Sequence, residues 1–311
     1  MQIAMISAEE KALPEYCTGY LRDAGVDVAY RKCGDSPDAL LDFAEDAEAL
    51  WMQGYNPAVN AGTLAKLPKV KVLYRSGSGV DSLPLDYAAK HGIAVCATPE
   101  TISESVAEHT VSLLCALARH IVQFDAQVRR GEWDSSTRQT KWHLSGRTLG
   151  VVGYGRIGRR VAELVAGFRM KVLHFDPFSR ESTPLDELLK RSDFVTLNCP
   201  LTPDTAKLIN ARTLKLMKPD ALIVNTSRGG VVDNDALFDA LEHGTLGGAA
   251  LDVIDPEPPG TDHPLLHCAK VIVTPHVAAF SADFERNFWI GAAKKVAAIA
   301  DYLNGKTERI V

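Results

Sequence analysis

The chain has 311 residues, enough for two domains that each bury a core. It is 46% apolar and 23% charged, and its 34 basic against 39 acidic side chains leave a net charge of −5. That lacks the clustered positive excess which nucleic acid or an anionic membrane surface would need as a partner. No apolar run approaches the ~20 residues that cross a bilayer. "MQIAMIS" has neither a basic n-region nor a cleavage site and reads as a first buried strand, not a secretory signal. Cys17, Cys33, Cys96, Cys115, Cys199 and Cys268 are scattered without a C-x-x-C pair, which predicts reduced, mostly buried thiols and a cytoplasmic protein.

Short apolar runs alternate with amphipathic ones from the start. "QIAMIS" reads as a strand and "LPEYCTGYLRDAG" as a helix ended by Gly25 in a left-handed cap. Strands follow at "VDVAYRK", "ALWMQ", "VKVLYRS" and "IAVCAT", with helices at "PDALLDFAED", "AGTLAKLP" and "PLDYAAKHG" between them. Strands alternating with helices imply βαβ units and a parallel sheet covered on both faces. From Ser103, a plausible N-cap, to about Arg130 there is no internal Gly or Pro. This predicts one helix of about 27 residues, roughly 40 Å long. "GEWDSSTRQTKWHLSG" is then polar and aromatic.

A second alternating series runs through "RTLGVVG", "KVLHFD", "FVTLNCP", "ALIVNTS", "GGAALDV" and "KVIVTPH", and a last long helix covers "ADFERNFWIGAAKKVAAIADYLNG". The predicted fold is α/β, with two doubly wound parallel-sheet domains. A Rossmann-type domain, residues 99–284, is inserted into a smaller, flavodoxin-like substrate domain made of residues 1–98 and 285–311.

"LGVVGYGRIGRR" carries Gly153, Gly155 and Gly158 between an apolar strand and a helical run. Gly153 permits the turn, Gly155 lets backbone N–H groups approach a pyrophosphate, and Gly158 lets the helix pack on the strand. The helix N-terminus favours phosphate. Asp176 closes the next strand, where it would accept from a ribose diol and repel a 2′-phosphate, so the cofactor reading is NAD.

Ligands of open α/β sheets lie beyond the carboxyl ends of the strands. Arg228 follows one such strand, where a guanidinium suits a planar carboxylate. Asp252, Asp255 and Glu257 follow another, and His276 follows the last. An imidazole near a carboxylate makes a usable acid–base group. Asp262, His263 and His267 have a metal-like spacing interrupted by Pro264 and read as a loop, so no metal is expected. His109, His120, His143 and His174 read as structural, and "RRGEW" and "GRRV" as solvated helix faces.

At these residues the sequence resembles the D-isomer-specific 2-hydroxyacid dehydrogenases. The resemblance extends over "RSGSGVDS" (75–82), "SVAEHT" (105–110), "LGVVGYGRIGRRVA" (149–162), "LNCPLTPDT" (197–205), "NTSRGGVVD" (225–233), "ALDVIDPEP" (250–258) and "TPHVAAF" (274–280). It implies that Arg228 binds the substrate carboxylate and carbonyl, that His276 is the acid–base group and Glu257 its partner, and that the N–H groups of Ser78 and Gly79 also hold the carboxylate. It further implies that Arg156 and Ile157 contact the pyrophosphate, that Asp176 meets the ribose, that Asp252 faces the nicotinamide carboxamide, and that Cys199, Pro200, Thr205, Thr226 and Ser227 line the cofactor cleft. A homodimer is implied as well.

The implied activity is hydride transfer between NAD and a small 2-keto/2-hydroxy acid. Some features depart from the family pattern. "SLP" follows "GSGVD", and the bulky Phe280 stands just past the histidine motif. No arginine occupies "MQGYNP" (52–57), which disfavours a phosphorylated substrate, and the chain stops at Val311, leaving no room for the regulatory domain some phosphoglycerate-specific members append. Ser78 in place of lysine disfavours phosphite, and Glu257 disfavours formate. Glyoxylate or hydroxypyruvate is the expected kind of substrate. A phosphoglycerate dehydrogenase-type enzyme and an NAD(H)-sensing interaction protein resembling the C-terminal-binding corepressors are the alternatives.

Overall fold

The computed structural model describes residues 3–133 and 143–310. Most of the polar and aromatic stretch after Arg130 lies outside the described residues. The chain divides into two compact units, one of Met1–Ile102 with Ser281–Val311 and one of Ser103–Phe280.

The first unit begins with β1 (Ile3–Met5), α1 (Glu15–Asp23), β2 (Val28–Tyr30), α2 (Pro37–Ala44), β3 (Ala49–Gln53), α3 (Ala61–Leu64), β4 (Val72–Ser76), α4 (Leu85–Lys90) and β5 (Ala94–Ala97). The helices start where local chemistry allows it. Ser36 and Asn60 cap α2 and α3 by accepting from the N–H groups of Ala39 and Thr63. Gly25 adopts φ +67° after α1, the left-handed turn that glycine makes at little cost. The strands pair in parallel in the order β2-β1-β3-β4-β5, and one core of Ala4, Ile6, Leu40, Leu50, Met52, Leu64 and Leu73 packs against the sheet.

The second unit contains α5 (Ser103–Ala118), α6 (Ile121–Arg129), β6 (Thr148–Val152), α7 (Arg156–Ala166), β7 (Lys171–Phe175), α8 (Leu185–Arg191), β8 (Phe194–Leu197), α9 (Ala211–Leu214), β9 (Leu222–Asn225), α10 (Asn234–Glu242), β10 (Gly248–Leu251), α11 (Pro264–His267) and β11 (Val271–Val273). The chain then returns to the first unit as α12 (Phe284–Leu303). The six-stranded parallel sheet runs β11-β10-β9-β8-β6-β7. Side chains alternate between two cores. Val151, Phe194, Val224 and Ala250 face α5 and α7, whereas Val152, Val195, Ile223 and Ala249 face the cluster that includes Leu188, Leu214, Leu237 and Leu241. Helices on both faces explain why these strands read as unbroken apolar runs.

The single helix expected from Ser103 to Arg130 is instead two. Residue 120, a histidine, takes φ +53° and breaks it, so α5 has 16 residues and α6 has 9. The reason lies in packing. Seven residues of α5, from Val106 to Ala118, are buried, while α6 buries none and leaves Ile121, Val122 and Val128 exposed. Without buried side chains the second segment is not held to the axis of the first, and the pattern of apolar residues does not register that loss. The basic runs lie where expected, on exposed faces. Arg129 pairs with Asp125, and Arg160 with Glu104 and Glu163.

Candidate active site

Strand register sets the positions of the second unit's chemistry. Phe175, Val152, Leu197, Asn225, Leu251 and Val273 lie in one row across the sheet. The residues just beyond them, Asp176, Gly153, Asn198, Thr226, Asp252 and Thr274, therefore share the carboxyl edge. The strand order places the β6–α7 turn at the switch point, where β7 leaves on one side of β6 and β8 on the other.

The three glycines of that turn have three different reasons to be there. Gly153 takes φ +88°, and a Cβ on it would stand 2.6 Å from the Cys199 nitrogen. A Cβ on Gly158 would stand 2.1 Å from the Gly153 carbonyl oxygen and 3.0 Å from Val151 Cγ1, so that glycine seats α7 on β6. A Cβ on Gly155 would meet no protein atom within 4 Å. Its bareness serves nothing in the packing and leaves backbone open at the start of α7, where Arg156 and Ile157 are the first helical residues. Asn198, whose backbone abuts Gly153, has a buried Oδ1 without a hydrogen-bond partner among the described residues. An anionic, polar dinucleotide fits both features.

Asp176 lies beside the turn. Its Oδ2 accepts from the Tyr154 N–H at 2.8 Å and its Oδ1 from the Phe178 N–H at 2.9 Å, which fixes the carboxylate against the glycine turn. Tyr154 stacks on His174 with ring centroids 3.9 Å apart. After β8, Cys199 is buried and Pro200 exposed, and burial pushes the Cys199 thiol up to about 11. Thr205 donates to the Pro200 carbonyl, pinning the Pro200–Thr205 turn. After β9, Thr226 Oγ1 lies 2.7 Å from Thr110 Oγ1, and Ser227 donates to Asn225 Oδ1.

Arg228 ends that same stretch, half-buried, with Nη1 donating to the Ser227 carbonyl at 2.8 Å and its own carbonyl accepting from Asn225 Nδ2. The following glycine, Gly229, packs so tightly on Ile254 and Asp255 that a Cβ would stand 2.4 Å from the Ile254 carbonyl carbon. That contact ties the Arg228 turn to the loop carrying Glu257.

His276 Nδ1 stands 2.7 Å from Glu257 Oε2. The histidine backbone is left-handed, φ +52°, which costs a non-glycine residue about 1 kcal/mol or more. Asp252 holds it there. The Asp252 carbonyl accepts from the His276 N–H at 2.8 Å, and its 1%-exposed carboxylate accepts from the N–H groups of Val277 and Ala278 and from the Thr274 hydroxyl. His109 Nε2 completes the set, 3.2 Å from Thr274 Oγ1 and 3.6 Å from Asp252 Oδ1. Sequence reasoning passed over this role of His109, because no local signal links α5 to the ends of β10 and β11. A cavity of about 500 Å³ opens beside the pair, lined by Glu257, His276, Thr274 and Asp252 together with apolar Ile254, Leu266 and Val273.

Two further histidines have local partners. His263 Nδ1 accepts from the Leu265 N–H to cap α11, and His267 Nε2 lies 2.9 Å from the Thr261 carbonyl. Ser78 and Gly79 belong to the first unit, in the turn after β4.

Residues 111–278 match the family described as D-isomer specific 2-hydroxyacid dehydrogenase, NAD binding domain. The chain belongs to that family. It is 40% identical to a D-3-phosphoglycerate dehydrogenase of Methanocaldococcus jannaschii, over 81% of this chain and 50% of the relative. It is 38% identical to a glyoxylate reductase of Korarchaeum cryptofilum, over 80% of this chain and 78% of the relative. The chain thus spans about half the length of the phosphoglycerate dehydrogenase it matches. A solved structure of D-lactate dehydrogenase from Aquifex aeolicus, complexed with NAD and lactic acid, superposes with a TM-score of 0.84 at 30% identity, covering 98% of this chain and 96% of that one. NAD is the cofactor of this D-2-hydroxyacid dehydrogenase fold.

Proposed function

We propose that the protein reduces or oxidises a small, non-phosphorylated 2-keto/2-hydroxy acid with NAD(H), with glyoxylate or hydroxypyruvate the first substrates to test. The observation that carries this reading is the 2.7 Å His276–Glu257 pair on the same sheet edge as the glycine turn and the Arg228 turn. NAD(H) supplies the hydride donor or acceptor. Glu257 holds the imidazole through Nδ1 and leaves Nε2 to exchange a proton with the substrate oxygen. Arg228 takes the carboxylate and stabilises charge on the reacting oxygen. In the first unit, the Ser78 and Gly79 N–H groups suit a carboxylate. Asp176 selects NAD over NADP, because its carboxylate would repel a 2′-phosphate. Arg156, Ile157, Cys199, Pro200, Thr205, Thr226, Ser227 and Asp252 border the cofactor.

The "MQGYNP" loop, without arginine, favours an unphosphorylated substrate. The D-3-phosphoglycerate dehydrogenase relative favours a second reading in which the substrate carries phosphate. Six free thiols suit a reducing cytoplasm. The exposed Ile121, Val122 and Val128 on α6 suit a homodimer, which sedimentation would detect. The functional test is loss of NADH absorbance with a panel containing glyoxylate, hydroxypyruvate, pyruvate and phosphohydroxypyruvate. Turnover on the unphosphorylated acids that vanishes in His276→Ala and Arg228→Ala supports the proposal. Preference for phosphohydroxypyruvate supports the second reading. Tight NADH binding without turnover on any acid indicates an NAD(H) sensor.

A further inference from the structure

In the first unit, β4 and β5 run in register to Arg75 opposite Ala97. Beyond that pair the two segments stay joined through Gly77, two residues on, and Thr98, one residue on. The Gly77 carbonyl accepts from the Thr98 N–H at 2.8 Å, and the Gly77 N–H donates to Thr98 Oγ1 at 3.0 Å. Both backbone groups of Gly77, which sits at φ +104°, are thus taken by one threonine with no exposed surface.

A buried chain of hydroxyls stands behind Thr98. The Trp51 indole N–H donates to Ser76 Oγ at 2.8 Å, Ser76 Oγ donates to the Tyr74 hydroxyl at 3.3 Å, and that hydroxyl lies 3.3 Å from Thr98 Oγ1. An indole only donates, so Ser76 Oγ accepts at that end and turns its own proton to Tyr74. Trp51 and Tyr74 are wholly buried, and burial pushes Tyr74 up to about 12, which keeps its proton in the chain. On the far side of the turn, the Gly79 carbonyl accepts from Arg75 Nη1 at 2.7 Å, and the same nitrogen reaches Ser82 Oγ at 3.2 Å.

Between these two anchors, neither the Ser78 nor the Gly79 N–H donates to a protein group among the described residues. Adjacent unpaired amides in a turn opened by a positive-φ glycine form a concavity suited to an anion. The tight ends and free middle are the reverse of an ordinary strand-ending loop, whose amides face water without a buried polar chain behind them.

We propose that Thr98 is a positioning residue for the Gly77–Gly79 turn, holding the Ser78 and Gly79 amides ready for a carboxylate, with the Trp51–Ser76–Tyr74 chain fixing the threonine hydroxyl. This rests on the reading that those amides meet the substrate carboxylate. Thr98→Val keeps the shape and deletes the hydroxyl, leaving the Gly77 N–H without its acceptor. Thr98→Ser keeps the hydroxyl.

The test compares KM and kcat for glyoxylate and the NADH dissociation constant in the wild type and both variants. Thr98→Val is expected to raise KM about tenfold or more, with kcat within about threefold and NADH affinity unchanged, while Thr98→Ser stays close to wild type. If Thr98→Val does not fold, Tyr74→Phe reads the same change at smaller size. A KM within about twofold of wild type in the valine variant, or equal impairment in the serine variant, overturns the proposal. If the wild type turns over no keto acid, the functional reading fails by itself. The clamp is then judged by oxalate binding and amide hydrogen exchange at Gly77. Faster exchange with weaker oxalate binding in Thr98→Val alone upholds it, and identical behaviour of the three proteins overturns it.

Discussion

His276 Nδ1 is 2.7 Å from Glu257 Oε2, and the two residues stand on different loops, one after β11 and the other between β10 and α11. The contact commits one ring nitrogen to the carboxylate and leaves the other for chemistry. His276→Ala should lower kcat/KM for the preferred keto acid by about a thousandfold, and Glu257→Gln by about ten- to a hundredfold, with little change in NADH affinity for either. Steady-state kinetics beside an NADH fluorescence titration checks both. Full activity in His276→Ala would remove the acid–base assignment.

Arg228 offers a planar fork that an ammonium does not reproduce. Arg228→Lys should therefore raise KM for the keto acid strongly, by about a hundredfold, and lower kcat too, although the charge is kept. Recovery of turnover by added guanidinium in Arg228→Ala would be consistent with that role. Wild-type KM in the lysine variant would contradict it.

The glycine turn separates folding from binding. Gly155→Ala adds a methyl where no protein atom lies within 4 Å and where φ is −76°, so it should melt like wild type. If the glycine turn holds the pyrophosphate as proposed, NADH affinity should fall about tenfold or more, because the methyl would fill the open space at residue 155. Gly158→Ala drives a methyl to 2.1 Å from a backbone oxygen and should lower thermal stability as well as binding. Differential scanning calorimetry with NADH titration distinguishes the two.

Asp176 accepts two backbone N–H bonds through separate oxygens and keeps lone pairs for a ribose diol. Asp176→Asn preserves those acceptor positions in part while removing the charge. The ratio of kcat/KM for NADPH to that for NADH should rise about tenfold or more. An unchanged ratio would mean that the carboxylate does not select the cofactor.

Asp193 shows how the sheet is sensitive to acid. Burial alone would raise its carboxyl, yet Lys218 Nζ at 2.8 Å and the Thr148 N–H at 2.8 Å hold it below its ordinary value. A carboxyl whose pKa is lower folded than unfolded stabilises the fold above the unfolded value, about 4, and that stabilisation is lost as pH falls through the folded value. Asp193→Asn should cost about 1–3 kcal/mol at neutral pH, and the gap to wild type should close in strong acid. Urea unfolding across the acid range measures it.

Much of this was legible in residue order. The strand–glycine–helix pattern at 149–160, the alternation that makes two parallel sheets, and the charged residues after strand ends all depend on spacing along the chain, which local sterics and apolar periodicity translate directly. The break at His120 was not legible, because a left-handed histidine carries no sequence signal and the burial that ends at Ala118 comes from partners far away in sequence. His109 was likewise silent, as its partners Thr274 and Asp252 stand more than a hundred positions on.

The amino-acid order by itself determined the fold class, the family and which residue types end the strands, because each of these follows from periodicity and motif spacing over a few dozen residues. Tertiary structure alone decided that Asp252 supports the His276 turn from beneath, that Gly155 is bare for no packing reason, and that Thr98 grips Gly77. Those relationships come from strand register and parallel pairing across long crossovers, and a chain read one residue at a time contains no distance between its strands.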